Sequence, residues 1–195
     1  MSAAVLPPPV GFTPPPRKKF TREEVQQMLD SGIFAGQRFE LIEGDLIDKM
    51  GQNPPHISTI QLVLEWLNSL FGVSRVRSQA PIGAGSPDRE RNLPEPDIAV
   101  LREWRAEYGL RHPRGDELMV AIEVSDTTIY SDTTTKRDLY ARAGVPEYWV
   151  IDLNARRVMV YRAVSEGIYT QLSLVGENES VTLEGHSIAV ARLLP

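Results

Sequence analysis

Between Leu118 and Val124 the chain is apolar at every position but one: Leu118-Met119-Val120-Ala121-Ile122-Glu123-Val124. A run that is apolar on both faces predicts a central strand covered on both sides of a sheet. Further β-prone runs lie at Val73–Gln79, Pro96–Leu101 and Glu147–Asp152, and a closing hairpin is expected at Val158–Tyr161 and Ile168–Leu174. Phe39–Ile47 places two short β-prone runs around a Glu-Gly-Asp turn, which predicts another hairpin. Helical spacing appears first after Thr21: Thr21 and Glu24 form a capping box, Val25, Met28 and Leu29 share a face, and Gly32 ends the helix. A longer helix opens at Pro54-Pro55, repeats Ile57, Ile60, Leu64, Leu67 and Leu70 or Phe71 on one face, and stops at Gly72. Residues 132–143 read as a third helix, with Gly144 as its stop and Pro146 beyond it. This order of elements, with no internal repeat, predicts an α/β protein: a mixed β-sheet flanked by helices.

Composition narrows the picture. The chain has 195 residues, 42% hydrophobic and 24% charged, which suits one globular domain with a core of its own. That domain is expected over residues 17–195. Residues 1–16 hold six prolines, form neither helix nor central strand, and read as an arm outside the core, held by a groove on its own body or by a symmetry mate. The absence of cysteine removes disulfides and thiolate chemistry. No apolar run approaches the roughly 20 residues of a membrane span, and no basic segment leads into an apolar stretch at the start. The expectation is a soluble, cytoplasmic protein. A net charge of −5 argues against a protein permanently seated on nucleic acid, although eight arginines against six acids between Arg75 and Arg114 leave room for a local basic face.

Candidate chemistry starts at Glu123. A carboxylate inside an apolar strand is costly unless it is paired, protonated or bound to a metal. An edge position facing solvent, or a buried salt bridge, would explain it without function. Asp97 changes the weighing. It follows Pro94-Glu95-Pro96 and opens a second apolar strand, so two strands each offer one acid. Hard cations such as Mg²⁺ take one or two carboxylates together with water and phosphate.

These residues carry a family resemblance. Pro96-Asp97, then Glu123-Val124-Ser125 about 25 residues on, resembles the PD-(D/E)XK nuclease motif. With Phe39–Asp45 and the long segment Lys136–Asp152, the chain from about residue 17 onward is similar to the Uma2 (DUF820) family of restriction-endonuclease-like proteins. The resemblance implies a restriction-endonuclease-like PD-(D/E)XK fold, Mg²⁺ or Mn²⁺ on Asp97 and Glu123, Glu40 as a third carboxylate, DNA as substrate, and a homodimer. The apolar residues from Ile188 to Leu194, lacking a helix of their own, are counted toward that dimer. One departure stands out: serine, Ser125, occupies the position of the usual motif lysine. The family's displaced lysine corresponds to Lys136 on the next helix, with an electrostatic role toward phosphate. Unaided, Lys136 reads as an exposed helix lysine. Tyr140 on the same helical face reads as packing and Glu43 as a turn residue. His56 reads as a base or outer-shell group or, more simply, as a locally bonded helix-start residue. Asp126, Thr127, Thr128, Ser131 and Asp132 form a polar loop at a strand end, where active sites often sit, and a helix N-cap at Ser131 or Asp132 explains part of that loop equally well.

The function expected is a metal-dependent DNA endonuclease with catalytic residues Glu40, Asp97, Glu123 and Lys136. The alternative is a catalytically inactive nuclease fold used for binding or assembly, to which the acidic balance and the displaced lysine lend weight. A third reading is a hydrolase of a non-nucleic phosphoester, which would need a small closed pocket.

Overall fold

The computed structural model describes residues 16–49, 53–85 and 88–195; all of the proline-rich arm except Pro16 lies outside them. Ten strands, four α-helical segments and five short 3₁₀ or π segments are laid out along these residues. Helix α1, Arg22–Asp30, begins at the expected capping box, with Thr21 and Glu24 bonding reciprocally. Strands β1, Phe39–Ile42, and β2, Asp45–Asp48, form an antiparallel hairpin. Its turn needs positive φ at Glu43 (51°) and Gly44 (78°). A Cβ on Gly44 would stand 2.9 Å from that of Lys19, so glycine is demanded by both conformation and space.

Helix α2, Pro54–Phe71, is capped by the Asn53 side chain, has prolines in its first turn where no donor is lost, and ends at Gly72. Six strands then build the main sheet in the order β3-β4-β5-β6-β7-β8. They are Val76–Ser78, Ile98–Leu101, Leu118–Ser125, Tyr148–Asp152, Arg157–Ser165 and Ile168–Gly176. Only β5 and β6 run parallel; the other neighbours are antiparallel. A parallel pair requires a crossover. Here it is a broken helix: α3, Ile129–Ser131, a π-helical turn, Asp132–Lys136, and α4, Arg137–Arg142. The expected helix start at 132 is therefore corrected. Asp132 lies within the crossover rather than at its cap, and the N-cap position, Thr128, makes no capping bond. A third hairpin, β9, Ser180–Leu183, with β10, His186–Ala189, closes the chain.

Alternation along the strands divides the core. One sheet face presents Ile98, Val100, Val120, Ile122, Val124, Trp149 and Ile151 to Ile60, Val63 and Leu67 of α2. Leu67 and Trp149 are wholly buried, and truncating a leucine in such a site costs about 3 kcal/mol. Ile188, Val190, Leu193 and Leu194 pack into this same cluster, so the C-terminal apolar residues serve this chain's own core and lend no support to a dimer. The opposite face presents Ala99, Ala121, Tyr148, Val150 and Tyr161, covered by Tyr140, Ala143 and Val145 from the crossover and its exit. The acids Asp97 and Glu123 share the parity of this second face.

Candidate active site

The register of β4 and β5 pairs Ile98 with Ile122. One step further out, Asp97 meets Glu123. Asp97 is fixed from two sides, because its Oδ2 accepts the Val124 amide at 2.9 Å and stands 3.3 Å from His56 Nε2. Burial pushes the Asp97 carboxyl up, but His56, the Val124 amide and Lys49 outweigh it, and Asp97 ends below its ordinary value. Burial likewise pulls His56 down, yet the bond and charge of Asp97 carry it above its ordinary value. His56 arrives there because the start of α2 is tied to the end of β5: Asn53 donates to Asp126, which also accepts from Asn154.

Glu123 is 3% exposed. Its Oε1 accepts from Lys136 Nζ at 3.0 Å and from the Tyr140 hydroxyl at 2.7 Å. Lys136, 8% exposed, also stands 2.8 Å from Glu40 Oε1 and 3.7 Å from Asp132 Oδ1. Glu40 reaches it from β1 and accepts the Glu95 amide through its other oxygen at 3.2 Å. Asp132 takes hydroxyl bonds from Ser125 (2.5 Å) and Thr128 (2.6 Å) on Oδ2. Its Oδ1 is buried without a hydrogen-bond partner, as is His56 Nδ1.

All four sequence-predicted residues, Glu40, Asp97, Glu123 and Lys136, thus meet in one buried cluster. Ser125, at the motif-lysine position, is spent on Asp132. Three members were read differently from the sequence. Tyr140 both packs and bonds Glu123, His56 touches Asp97, and Asp132 is a fourth buried acid rather than a cap. For Asp132 and Tyr140 a signal existed, since each lies four positions from Lys136 on a helix. For His56 the helix start allowed a base or outer-shell role, but not its partner, which lies on a distant strand.

The charge count is unbalanced. Four buried carboxyl groups are in contact with one ammonium, Lys136, and one imidazole, His56, while Lys49 acts on Asp97 from further off. Burial, reinforced by Asp97, Asp132 and Glu40 against the pull of Lys136, pushes Glu123 up to about 8. Asp132 is raised by burial as well, and Lys136 is held well above its usual value by its acids despite burial. Among the described residues no group of three His, Asp or Glu side chains is poised to enclose a metal ion. Two acids nevertheless suit Mg²⁺, which retains water and takes phosphate oxygens as further ligands. The described hydrogen bonds of both acids fall on one oxygen each, Oδ2 of Asp97 and Oε1 of Glu123. The donor set and the surplus negative charge therefore fit a hard divalent cation.

Comparison with known proteins bears on the lineage. A family model named Uma2, described as "putative restriction endonuclease", matches residues 22–191. The chain belongs to the Uma2 family. A solved structure from Anabaena variabilis ATCC 29413, titled a "putative nuclease belonging to DUF820", matches with a TM-score of 0.65 at 18% identity, over 89% of this chain and 97% of that one. At that identity the likeness speaks for the fold, which is the Uma2 restriction-endonuclease-like fold with its mixed sheet flanked by helices. No curated protein matches the chain in sequence. Lys136 reaches the acids from the crossover helix, not from the strand that carries Glu123. No helix of the described residues is long and apolar enough to cross a membrane.

Proposed function

We propose that this chain is a nuclease that hydrolyses phosphodiester bonds in DNA and depends on a divalent metal, Mg²⁺ or Mn²⁺, held by Asp97 and Glu123. The observation that carries this reading is the buried surplus of carboxylate over cation beside two acids on adjacent strands. A structural salt bridge would be balanced, and this cluster calls for another positive charge. Such an ion, once bound, supplies Lewis acidity toward a water nucleophile and a phosphoryl oxygen. The remaining work falls to the protein. His56 and the Val124 amide orient Asp97. Tyr140 and Lys136 hold one oxygen of Glu123. Lys136, anchored by Glu40, places an ammonium where negative charge develops on phosphate, a form of preorganised electrostatic stabilisation.

One observation favours the second reading, an inactive fold used for binding: Lys136 is already surrounded by acids and is almost wholly buried. A plasmid-nicking assay separates the two. Supercoiled DNA incubated with Mg²⁺ or Mn²⁺ is expected to be nicked by wild type, not in EDTA, and not by Asp97→Asn or Glu123→Gln. Nicking that survives in either variant would contradict the proposed site. No nicking by wild type with either metal would favour the binding module.

A further inference from the structure

The sheet face that carries Asp97 and Glu123 has a second polar feature beside the acids. Arg77 on β3 pairs with Ala99 on β4. Asp97 is therefore its diagonal neighbour on the same face, about 7–8 Å away between Cα atoms. The β3 edge is pinned to that residue, since Gln79 N and Ser78 Oγ both donate to the Asp97 carbonyl, at 3.0 and 3.2 Å. Among the described residues Arg77 Nε is buried without a hydrogen-bond partner. Other arginines, including Arg111, Arg142, Arg156 and Arg162, hold carboxylates. Among the described residues Arg77 and Arg22 hold none, as is also true of Arg17, Arg75, Arg89, Arg91, Arg102 and Arg192, and the remaining stretches, 1–15, 50–52 and 86–87, contain no Asp or Glu.

Other positive groups gather here from separate segments. The Gly83 amide donates to the Pro113 carbonyl at 2.8 Å, which draws the loop bearing His112 to the chain leaving β3. Phe20 N donates to Gly44 O at 2.8 Å and Gly44 N to Arg91 O at 2.9 Å, which sets the start of α1 beside the turn of Arg89. Burial and the charges of Arg77 and Arg22 hold His112 below its ordinary value. Burial and Arg89 do the same to Arg22. Arg77, Arg22 and His112 thus make no ion pair with a carboxylate among the described residues, and they lie beside the acid cluster that Asp97 belongs to.

We propose that Arg77, with Arg22 and His112 beside it, forms a phosphate-binding site that holds the backbone of a nucleic-acid strand next to the bond presented to Asp97 and Glu123. The inference rests on the nuclease reading and names a partner contact outside the acid cluster. A guanidinium matches phosphate through two parallel N–H donors, and Arg77 is part-exposed with no carboxylate taking up its charge among the described residues.

The test is binding of a fluorescein-labelled 20-bp DNA duplex in EDTA, at several salt concentrations, by wild type, Arg77→Gln, Arg22→Ala and Arg192→Ala. Arg192 is an exposed arginine in the C-terminal turn, beside residues buried under the opposite sheet face. Arg77→Gln is expected to weaken binding about tenfold and to lower the salt slope by about one. Arg22→Ala, at the first helical turn and a smaller risk to folding, should weaken it severalfold, and Arg192→Ala should leave it within about twofold of wild type. Equal binding and equal salt slopes for Arg77→Gln, Arg22→Ala and wild type would overturn the site, as would a wild type that binds no duplex. Metal-dependent nicking by the same wild-type sample is read separately. Nicking together with equal binding removes the phosphate site and leaves the nuclease reading. Weakened binding by Arg77→Gln without any nicking by wild type keeps the phosphate site and removes the nuclease reading.

Discussion

Two buried glutamates lie six positions apart, one just before β5 and one within it, and they behave in opposite ways. Glu117 is 6% exposed and Glu123 is 3% exposed. Glu117 accepts from Arg111 at 2.7 Å through both oxygens, from Arg105, and from the Arg114 amide at 2.8 Å. Its hydrogen bonds to Arg111 dominate, and its carboxyl falls to about 2 in spite of burial. Glu123 has one ammonium shared with two other acids, and it rises to about 8. Glu117 shows what a structural buried carboxylate requires: donors for both oxygens and cations in excess. Glu123 lacks that closure. Burial with donors for every oxygen is the structural case, and burial beside one shared cation is what singles Glu123 out as the candidate.

The comparison breaks most sharply on substitution. Asp97→Asn and Glu123→Gln are expected to reduce metal-dependent DNA nicking by at least about 10³-fold. Glu123→Gln keeps an oxygen for Lys136 and Tyr140. Without metal at pH 8 it should raise the melting temperature by about 3 °C, since folding no longer has to bring an uncompensated acid into the interior. Lys136→Met should cut nicking by about 10²-fold or more and should also destabilise the apo protein, because Glu40, Glu123 and Asp132 then lose their common cation. Glu117→Gln should leave nicking and metal binding unchanged while lowering the melting temperature by about 5 °C. That corresponds to about 2 kcal/mol, discounted because its arginines are solvent-exposed. Calorimetric melting with nicking on the same samples checks all of these.

The smallest effect is in the pH profile, and the two glutamates have opposite signs there. Glu117 has a depressed folded-state pKa, so its stabilisation is complete above about 4.5 and is lost as pH falls through about 2. Glu123 has a raised one, so its protonated form favours folding below about 4.5, and that contribution fades as pH rises through about 8. Metal binding should displace that proton, so Mn²⁺ affinity is expected to climb between pH 6 and about 8 and then level off. Titration calorimetry in buffers of different ionisation enthalpy would detect the released proton.

Much of the fold was legible along the chain because its signals are local. The Thr21 capping box, the Pro54-Pro55 start and Gly72 stop of α2, the Glu43-Gly44 turn and the two-faced apolar run of β5 all depend on neighbours within a few residues. Asp97 and Glu123 were legible for a related reason, since a charged residue breaks the pattern of an apolar strand, whereas Glu40 and Lys136 were reached through the family resemblance. What stayed hidden depends on the register of distant segments. His56 meets Asp97 only through the tie between Asn53 and Asp126. The role of Asp132 follows from a crossover that starts at Ile129 rather than three residues later. The orphaned Arg77 acquires meaning only once β3 is aligned on β4. Ile188–Leu194, counted toward a dimer from the sequence, are folded into the α2 side of the core by the β9–β10 hairpin and the turn after it.

The most direct test of the central claim is isothermal titration of Mn²⁺ into wild type, Glu123→Gln and Glu117→Gln at pH 7.5. Wild type and Glu117→Gln are expected to bind with the same stoichiometry and affinity, whereas Glu123→Gln should show no binding. Binding retained by Glu123→Gln, or absent from wild type, would contradict the assignment of the surplus charge to a metal site.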